Sequence, residues 1–229
     1  MRALRLPKWL GLSPPVLPAQ QAYDLWAESY PPRPHNPVME AEQNVVAPLI
    51  ATTTPSRALD VGTGTGRYLP LLAATGAPVV VGLDLSMAML TRHLSLATRV
   101  CADGCRLPFV DRSFELVTSS LMAGDVERLG EWIAEMGRVL MPGGHLIYSD
   151  FHPSWAEEGW RRTFRGPEGQ LFEVGYCPHS IDAHLSALEG AALHVRTIRE
   201  PRCPGHRSPV VVAFHAVKRV RTAIALRPR

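Results

Sequence analysis

With 229 residues, 46% of them hydrophobic and 20% charged, the chain has the composition of an ordinary folded protein and length for one α/β domain with a sizeable core. A formal net charge of +3 is too mild to announce a nucleic-acid binder, and no apolar run is long enough to span a bilayer. The four cysteines, Cys101, Cys105, Cys177 and Cys203, show no C-x-x-C pairing, so neither a zinc site nor a disulfide framework is suggested and reduced thiols in a cytoplasm are expected.

The opening stretch MRALRLPKWLGLSPPVLPAQ is interrupted by Pro7, Pro14, Pro15 and Pro18, which breaks the apolar core a signal peptide needs. Proline-rich sequence to about Pro37 brackets one mildly amphipathic stretch, AYDLWAESY, and NPVMEAEQNVVAPLI reads as a helix before the polar turn ATTTPS. Residues 1–56 are therefore expected to form a helical preface that covers the cofactor and substrate site of a domain over 57–229. From Arg57 the pattern repeats. RALDV is a short strand, a glycine loop follows, and GRYLPLLAATG has helical spacing closed by Gly76. PVVVGLDL has the β-branched run of a strand buried on both faces, and SMAMLTRHLS follows as a helix with Ser86 as its cap. TRVCAD and FELVTSSL supply two further strands, ERLGEWIAEMGRVL a helix, and GGHLIYSDF a strand after the turn Pro142-Gly143-Gly144.

Beyond Phe151 the alternation pauses over about 152–180, where a substrate cover is expected; SWAEEGWRRTFRG is favoured as a helix whose apolar face joins the substrate wall, the alternative being that Trp155, Trp160 and Phe164 beside Arg161, Arg162 and Arg165 grip an aromatic or anionic acceptor. It resumes as the helix IDAHLSALEGA and the strands LHVRTIREP and PVVVAFHAVK. Two strands with no helix between them predict an antiparallel last strand and a sheet mixed at that edge. The fold class expected is α/β, a Rossmann-like doubly wound sheet of seven strands. The basic tail KRVRTAIALRPR reads as a solvated terminus rather than a binding arm.

The glycine loop carries the chemistry. A dinucleotide fingerprint needs its third glycine at position 67, where Arg67 stands, and no G-K-[S/T] closes the loop as a phosphate-binding ATPase requires. What remains is Asp60-x-Gly62-x-Gly64-x-Gly66, and a carboxylate at the loop entrance suits a ligand with an ammonium group better than a phosphate. Asp84 ends the next strand, where a carboxylate can accept the hydroxyls of a ribose. Asp103, in CADGC, is placed to accept an adenine amino group.

The series LDVGTGTGR, VGLDLSMAML, ADGCRLPFVDRSFELV and EMGRVLMPGGHLIYSD resembles the class I S-adenosylmethionine-dependent methyltransferases, in particular the small-molecule branch related to ubiquinone and malonyl-carrier methyltransferases, from about Tyr23 to Asp150. The resemblance implies S-adenosylmethionine as cofactor and S-adenosylhomocysteine as product. It assigns Asp60, Gly62, Thr63, Gly64 and Gly66 to the methionine part, Asp84 to the ribose, Leu85 and Met89 to the flanks, and Asp103 with Gly104 to the adenine. Ser120 and Leu121 complete the set, and Tyr23 and Tyr30 either close over the cofactor or simply pack. Glu115 stands where the branch usually has Asp, SSLMAGDVERL lacks a histidine often found there, and no [D/N/S]-P-P-[Y/F] tetrapeptide marks nitrogen methylation.

Methyl transfer needs alignment above all, with a base for phenol, enol or carbon acceptors. His152, directly after LIYSDF, is the first candidate base and His179 the second, each with a plain turn or capping role as the alternative. No metal is expected. The reading is methyl transfer to a small molecule at oxygen or carbon, free or tethered to a carrier protein. Its rivals are a catalytically silent S-adenosylmethionine-binding partner subunit and a nicotinamide-dependent oxidoreductase, the latter disfavoured by Arg67 and Asp60.

Overall fold

A computed structural model describes residues 13–92 and 97–220. The opening stretch to residue 12, the end of the helix predicted after Ser86 (93–96) and the basic tail from 221 onward lie outside the described residues.

The preface holds a two-residue strand β1 (Val16–Leu17), helix α1 (Ala19–Trp26) and helix α2 (Pro37–Ala51). Asn36 starts α2 by accepting the Met39 N–H at 3.0 Å, with Pro37 just inside, where its missing N–H costs nothing. The repeating part then runs β2 (Arg57–Val61), α3 (Leu69–Ala74), β3 (Val79–Asp84), α4 (Met87–Thr91), β4 (Thr98–Cys101), β5 (Phe114–Ser119), α5 (Leu129–Val139) and β6 (Leu140–Phe151). Ser86 caps α4 through the Met89 N–H at 3.1 Å. The predicted Pro142-Gly143-Gly144 turn is instead an irregular part of β6: Gly143 takes φ +81°, and the register against β5 shifts there. The chain closes with α6 (Ser154–Glu157), β7 (Thr163–Arg165), β8 (Leu171–Val174), α7 (Ile181–Gly190), β9 (Leu193–Arg199) and β10 (Val211–Lys218).

Seven strands form one sheet in the order β4-β3-β2-β5-β6-β10-β9, parallel except for β10, which runs against both β6 and β9. The antiparallel last strand therefore lies one place inside the sheet, and β9 forms the edge. Alternating side chains build the two layers. Leu59, Val117, Tyr148 and Phe214 face a core with Trp132, Ile133 and Met136 of α5 and Leu188 of α7, while Ala58, Leu116, Ile147 and Ala213 meet Val46 and Ile50 of α2 and Leu69 and Leu72 of α3. Among the described residues no helix is long and apolar enough to cross a membrane.

A second, three-stranded sheet, β1-β8-β7, was not foreseen. β1 pairs parallel with β8 (Val16 opposite Glu173), joining the preface to the interruption after β6. The helix expected over SWAEEGWRRTFRG stops after one turn, because Gly159 takes φ +68° and the chain turns extended. There Phe164 is buried between exposed Thr163 and Arg165, the period-2 pattern of a strand.

Candidate active site

The parallel strands end together, and the loops that leave them enclose a cavity of about 730 Å³, within the usual range for small-molecule sites. Its floor is built strand by strand: Gly62 and Gly64 after β2, Asp84 and Leu85 at the end of β3 with Met89 in α4, Asp103 and Gly104 after β4, and Ser120 to Met122 after β5. Asp84 organises this floor, accepting the Gly64 N–H at 2.7 Å on one oxygen and the Ser86 N–H at 2.8 Å on the other. Burial pushes its carboxyl up, and these two amides oppose the shift. Gly64 takes φ +55° with open space where a Cβ would lie, and Gly62 takes φ +72° with the Met122 sulfur where its own Cβ would go. Asp103 accepts the Cys105 N–H at 2.8 Å. Leu121 adopts φ +53°, a strained backbone for a leucine, held by its N–H against the Ser149 carbonyl and hydroxyl, both at 3.1 Å.

The roof comes from α1 and the small sheet. Tyr23, Trp26 and Tyr30 line the cavity, with Trp26 stacked 5.0 Å from Phe164 of β7 and edge-on 4.9 Å from Tyr30. At one end the wall is Phe151, Trp155 and Trp160, with consecutive ring centroids 4.6 and 4.7 Å apart.

Two buried polar clusters brace this arrangement. In the first, Glu42 of α2, fully buried, accepts Ser120 Oγ at 2.8 Å and Ser149 Oγ at 2.7 Å on one oxygen, and Arg67 Nη1 at 2.9 Å and Tyr68 Oη at 2.7 Å on the other. Arg67 also donates to Ser120. In the second, Asp125 accepts Tyr23 Oη at 3.1 Å and pairs with Arg162, tying α1 and the segment before β7 to the loop after β5. Burial pushes the Asp125 carboxyl up, against the pull of Arg162.

A family profile described as a methyltransferase domain matches residues 59–148, the strands and loops of that floor. Residues 59–148 thus carry the sequence pattern of a methyltransferase domain. The chain is 38% identical over 157 residues to the malonyl-[acyl-carrier protein] O-methyltransferase of Methylococcus capsulatus, covering 63% of this chain and 56% of that one. It is 35% identical over 117 residues to the demethylmenaquinone methyltransferase of Renibacterium salmoninarum, covering 49% of each. The chain thus spans about half the length of these curated relatives. A crystal structure of an S-adenosylmethionine-dependent methyltransferase from Mesorhizobium loti superposes with a TM-score of 0.64 at 22% identity, over 78% of this chain and 98% of that one, which speaks for the fold.

The methyltransferase cofactor is S-adenosylmethionine, and the floor fits it: Gly64 leaves room for close backbone approach, and Asp84 and Asp103 present carboxylate oxygens one strand apart. Of the residues expected from the sequence, Tyr23, Tyr30, Gly62, Gly64, Asp84, Leu85, Met89, Asp103, Gly104, Ser120 and Leu121 line the cavity. Asp60, Thr63 and Gly66 do not. Asp60 lies within β2, paired between Gly82 and Thr118, and its carboxyl accepts the Thr118 hydroxyl of the neighbouring strand at 2.7 Å. Burial pushes it up to about 6. Thr63 is buried against Gly82, where a Cβ would collide with it, and Gly66, at φ +87°, turns the chain toward α3.

Both candidate bases lie outside the cavity wall. His152 is held by Ser154 Oγ at 2.9 Å and Glu200 at 3.0 Å, beyond Phe151. His179 Nε2 donates to the Val126 carbonyl at 2.7 Å, a long-range contact between the segment before α7 and the loop after β5. Sequence reasoning missed Glu42, Asp125 and Met122. Only Glu42 left a signal, as an acidic residue in the buried stripe Met39, Glu42, Val46, Ile50 of α2. Among the described residues no group of His, Cys, Asp or Glu side chains is arranged to hold a metal ion.

Proposed function

We propose that this chain transfers the methyl group of S-adenosylmethionine to a small molecule at oxygen or carbon. The observation that carries the reading is a single cavity whose floor suits the cofactor and whose far end is an aromatic wall for an acceptor. Its relatives' names, a malonyl-carrier O-methyltransferase and a demethylmenaquinone methyltransferase, support an acceptor of this size, free or carrier-tethered.

The cofactor, when bound, supplies a methyl on a positively charged sulfur, so the leaving group arrives activated. The chain's own work is then placement. Asp84 would hold the ribose hydroxyls and Asp103 the adenine amino group, while the turn through Gly62 and Gly64 lets backbone approach the methionine part. Tyr23, Trp26 and Tyr30 cover the cavity and exclude water, which favours alignment of the two reactants. The preface and the segment over 152–180, joined through β1 and β8, act in this proposal as one cover. With His152 and His179 outside the wall, no histidine is assigned as a base. Asp125 is the buried carboxylate beside the acceptor end, and its ties to Tyr23 and Arg162 give it a positioning role. The free cysteines support placing the reaction in the cytoplasm.

Titration calorimetry with S-adenosylhomocysteine, and label transfer from methyl-labelled S-adenosylmethionine into a metabolite extract, test this reading. Saturable binding and one labelled species are expected. Absence of S-adenosylhomocysteine binding would overturn it, whereas binding without any transfer would favour a silent partner subunit.

A further inference from the structure

A second, smaller chamber adjoins the aromatic end of the main cavity. Its volume is about 20 Å³, room for one water or one oxygen-bearing group. Trp155, Trp160 and Arg162 line both spaces, and Glu173 and Tyr176 belong to the chamber alone.

The chamber is rich in unused donors. Trp155 Nε1 and Arg162 Nε and Nη1 are buried and have no hydrogen-bond partner among the described residues. Arg162 spends only Nη2, on Asp125 and on the Gly175 carbonyl. The rings of Phe151 and Tyr176, each 5.3 Å from its guanidinium carbon, supply apolar faces and no acceptor atom. Its side chain is only 9% exposed, and a buried cation with open N–H groups is costly unless an acceptor joins it. The chamber's own carboxylate, Glu173, has a buried Oε2 with no hydrogen-bond partner among the described residues, and its charge is offset by the ion pair with Arg161.

We propose that this chamber anchors a carboxylate carried by the methyl acceptor, with Arg162 and the Trp155 N–H as its donors and the aromatic wall against a planar apolar body. The inference rests on the methyltransferase reading. No residue of the cofactor floor lines the chamber, so the anchored carboxylate is a handle and the methyl goes to another atom of the acceptor, in the main cavity. Charge-assisted hydrogen bonds from buried donors favour an anion over a neutral group of the same shape.

The test uses 2-naphthoate and its neutral isostere 2-naphthamide, titrated into the full chain with and without saturating S-adenosylhomocysteine and followed by tryptophan fluorescence. Naphthoate is expected to bind at least about tenfold more tightly, the size of one hydrogen bond to a charged group. Trp155→Phe keeps a ring but removes the donor and should cut that preference severalfold; Arg162→Gln should abolish it. If Arg162→Gln fails to fold, Arg162→Lys takes its place and should lower naphthoate affinity while leaving naphthamide unchanged. Arg165→Gln, an exposed charge on β7, serves as the control and should change nothing. Equal binding of the two probes by the unmodified protein, or a preference untouched by the Trp155 and Arg162 variants, would overturn the inference and leave the chamber to a water. Loss of S-adenosylhomocysteine binding in the unmodified protein would instead strike the methyltransferase reading, so the two failures are separable.

Discussion

Replacing Glu42 with glutamine keeps the side chain's shape and removes its charge from the centre of four donors. A glutamine amide oxygen can still face Arg67 and Tyr68, and its NH2 can turn to the hydroxyls of Ser120 and Ser149, so hydrogen bonds are partly conserved. The guanidinium of Arg67 is not compensated. Its side chain is 8% exposed, burial works against its charge, and Glu42 is the carboxylate that offsets this. Breaking a buried ion pair from one side costs about 3 to 5 kcal/mol, and for a domain of this size each kcal/mol lowers Tm by about 2 to 4 °C. Glu42→Gln should therefore melt at least about 6 °C below the unmodified chain in a thermal scan monitored by circular dichroism. Removing both charges together, as Glu42→Gln with Arg67→Met, should recover much of the loss, because a buried pair replaced by neutral residues is often tolerated. A single variant within about 2 °C of the unmodified chain would refute the reasoning and mean that Arg67 draws its solvation from elsewhere.

Three further outcomes follow from the geometry. Asp84→Ala removes the acceptor of the Gly64 and Ser86 amides together with the proposed ribose contact, and calorimetry should show S-adenosylhomocysteine affinity reduced by at least about tenfold; near-normal affinity would remove Asp84 from the cofactor floor. Asp60 has its folded pKa raised from 3.8 to about 6 by burial, so its contribution to stability is most favourable below pH 3.8 and is lost as pH rises through about 6. Urea unfolding of Asp60→Asn should thus show it gaining on the unmodified chain by up to about 3 kcal/mol between pH 4 and pH 7.5, while a constant difference would contradict the burial argument. His152→Ala should keep methyl-transfer turnover within about threefold and lose under about 1 kcal/mol, since its pairing with the half-exposed Glu200 is a surface contact; a hundredfold fall in turnover would return it to the mechanism.

The sheet was legible because each of its strands carried a local signal. The β-branched run at Val79–Val81 marks the start of β3, which is buried from Val81 to Leu83, and the turn residues of the glycine loop mark where the chain must reverse above the sheet. The cavity floor was legible for the same reason, since Asp84 and Asp103 sit at strand ends that the pattern itself locates. Asp60 shows the limit. Its residue type suited an ammonium group, but its carboxyl accepts the Thr118 hydroxyl across the strand pair and does not line the cavity, and which face a strand residue takes does not show in composition. The acceptor end was least legible. Trp155 and Arg162 share one segment, but Asp125 joins Arg162 across 37 positions of the chain, and β7 rests on an alternation of only three residues interrupted from the preceding turn by Gly159. The matched methyltransferase domain, residues 59–148, stops short of β7, β8 and α1.

The parallel pairing of Val16–Leu17 with Glu173–Val174 has a practical meaning for anyone exchanging parts between such proteins. A graft that carried only residues 152–180 into another scaffold would bring β7 and β8 without their third strand, leaving the Glu173 and Gly175 amides without the Pro15 and Leu17 carbonyls they now use. It would also bring Phe164 without Trp26. The two segments are therefore structurally a pair: a chimera that moves residues 13–36 and 152–180 together should retain the small three-stranded sheet, and one that moves either alone should not.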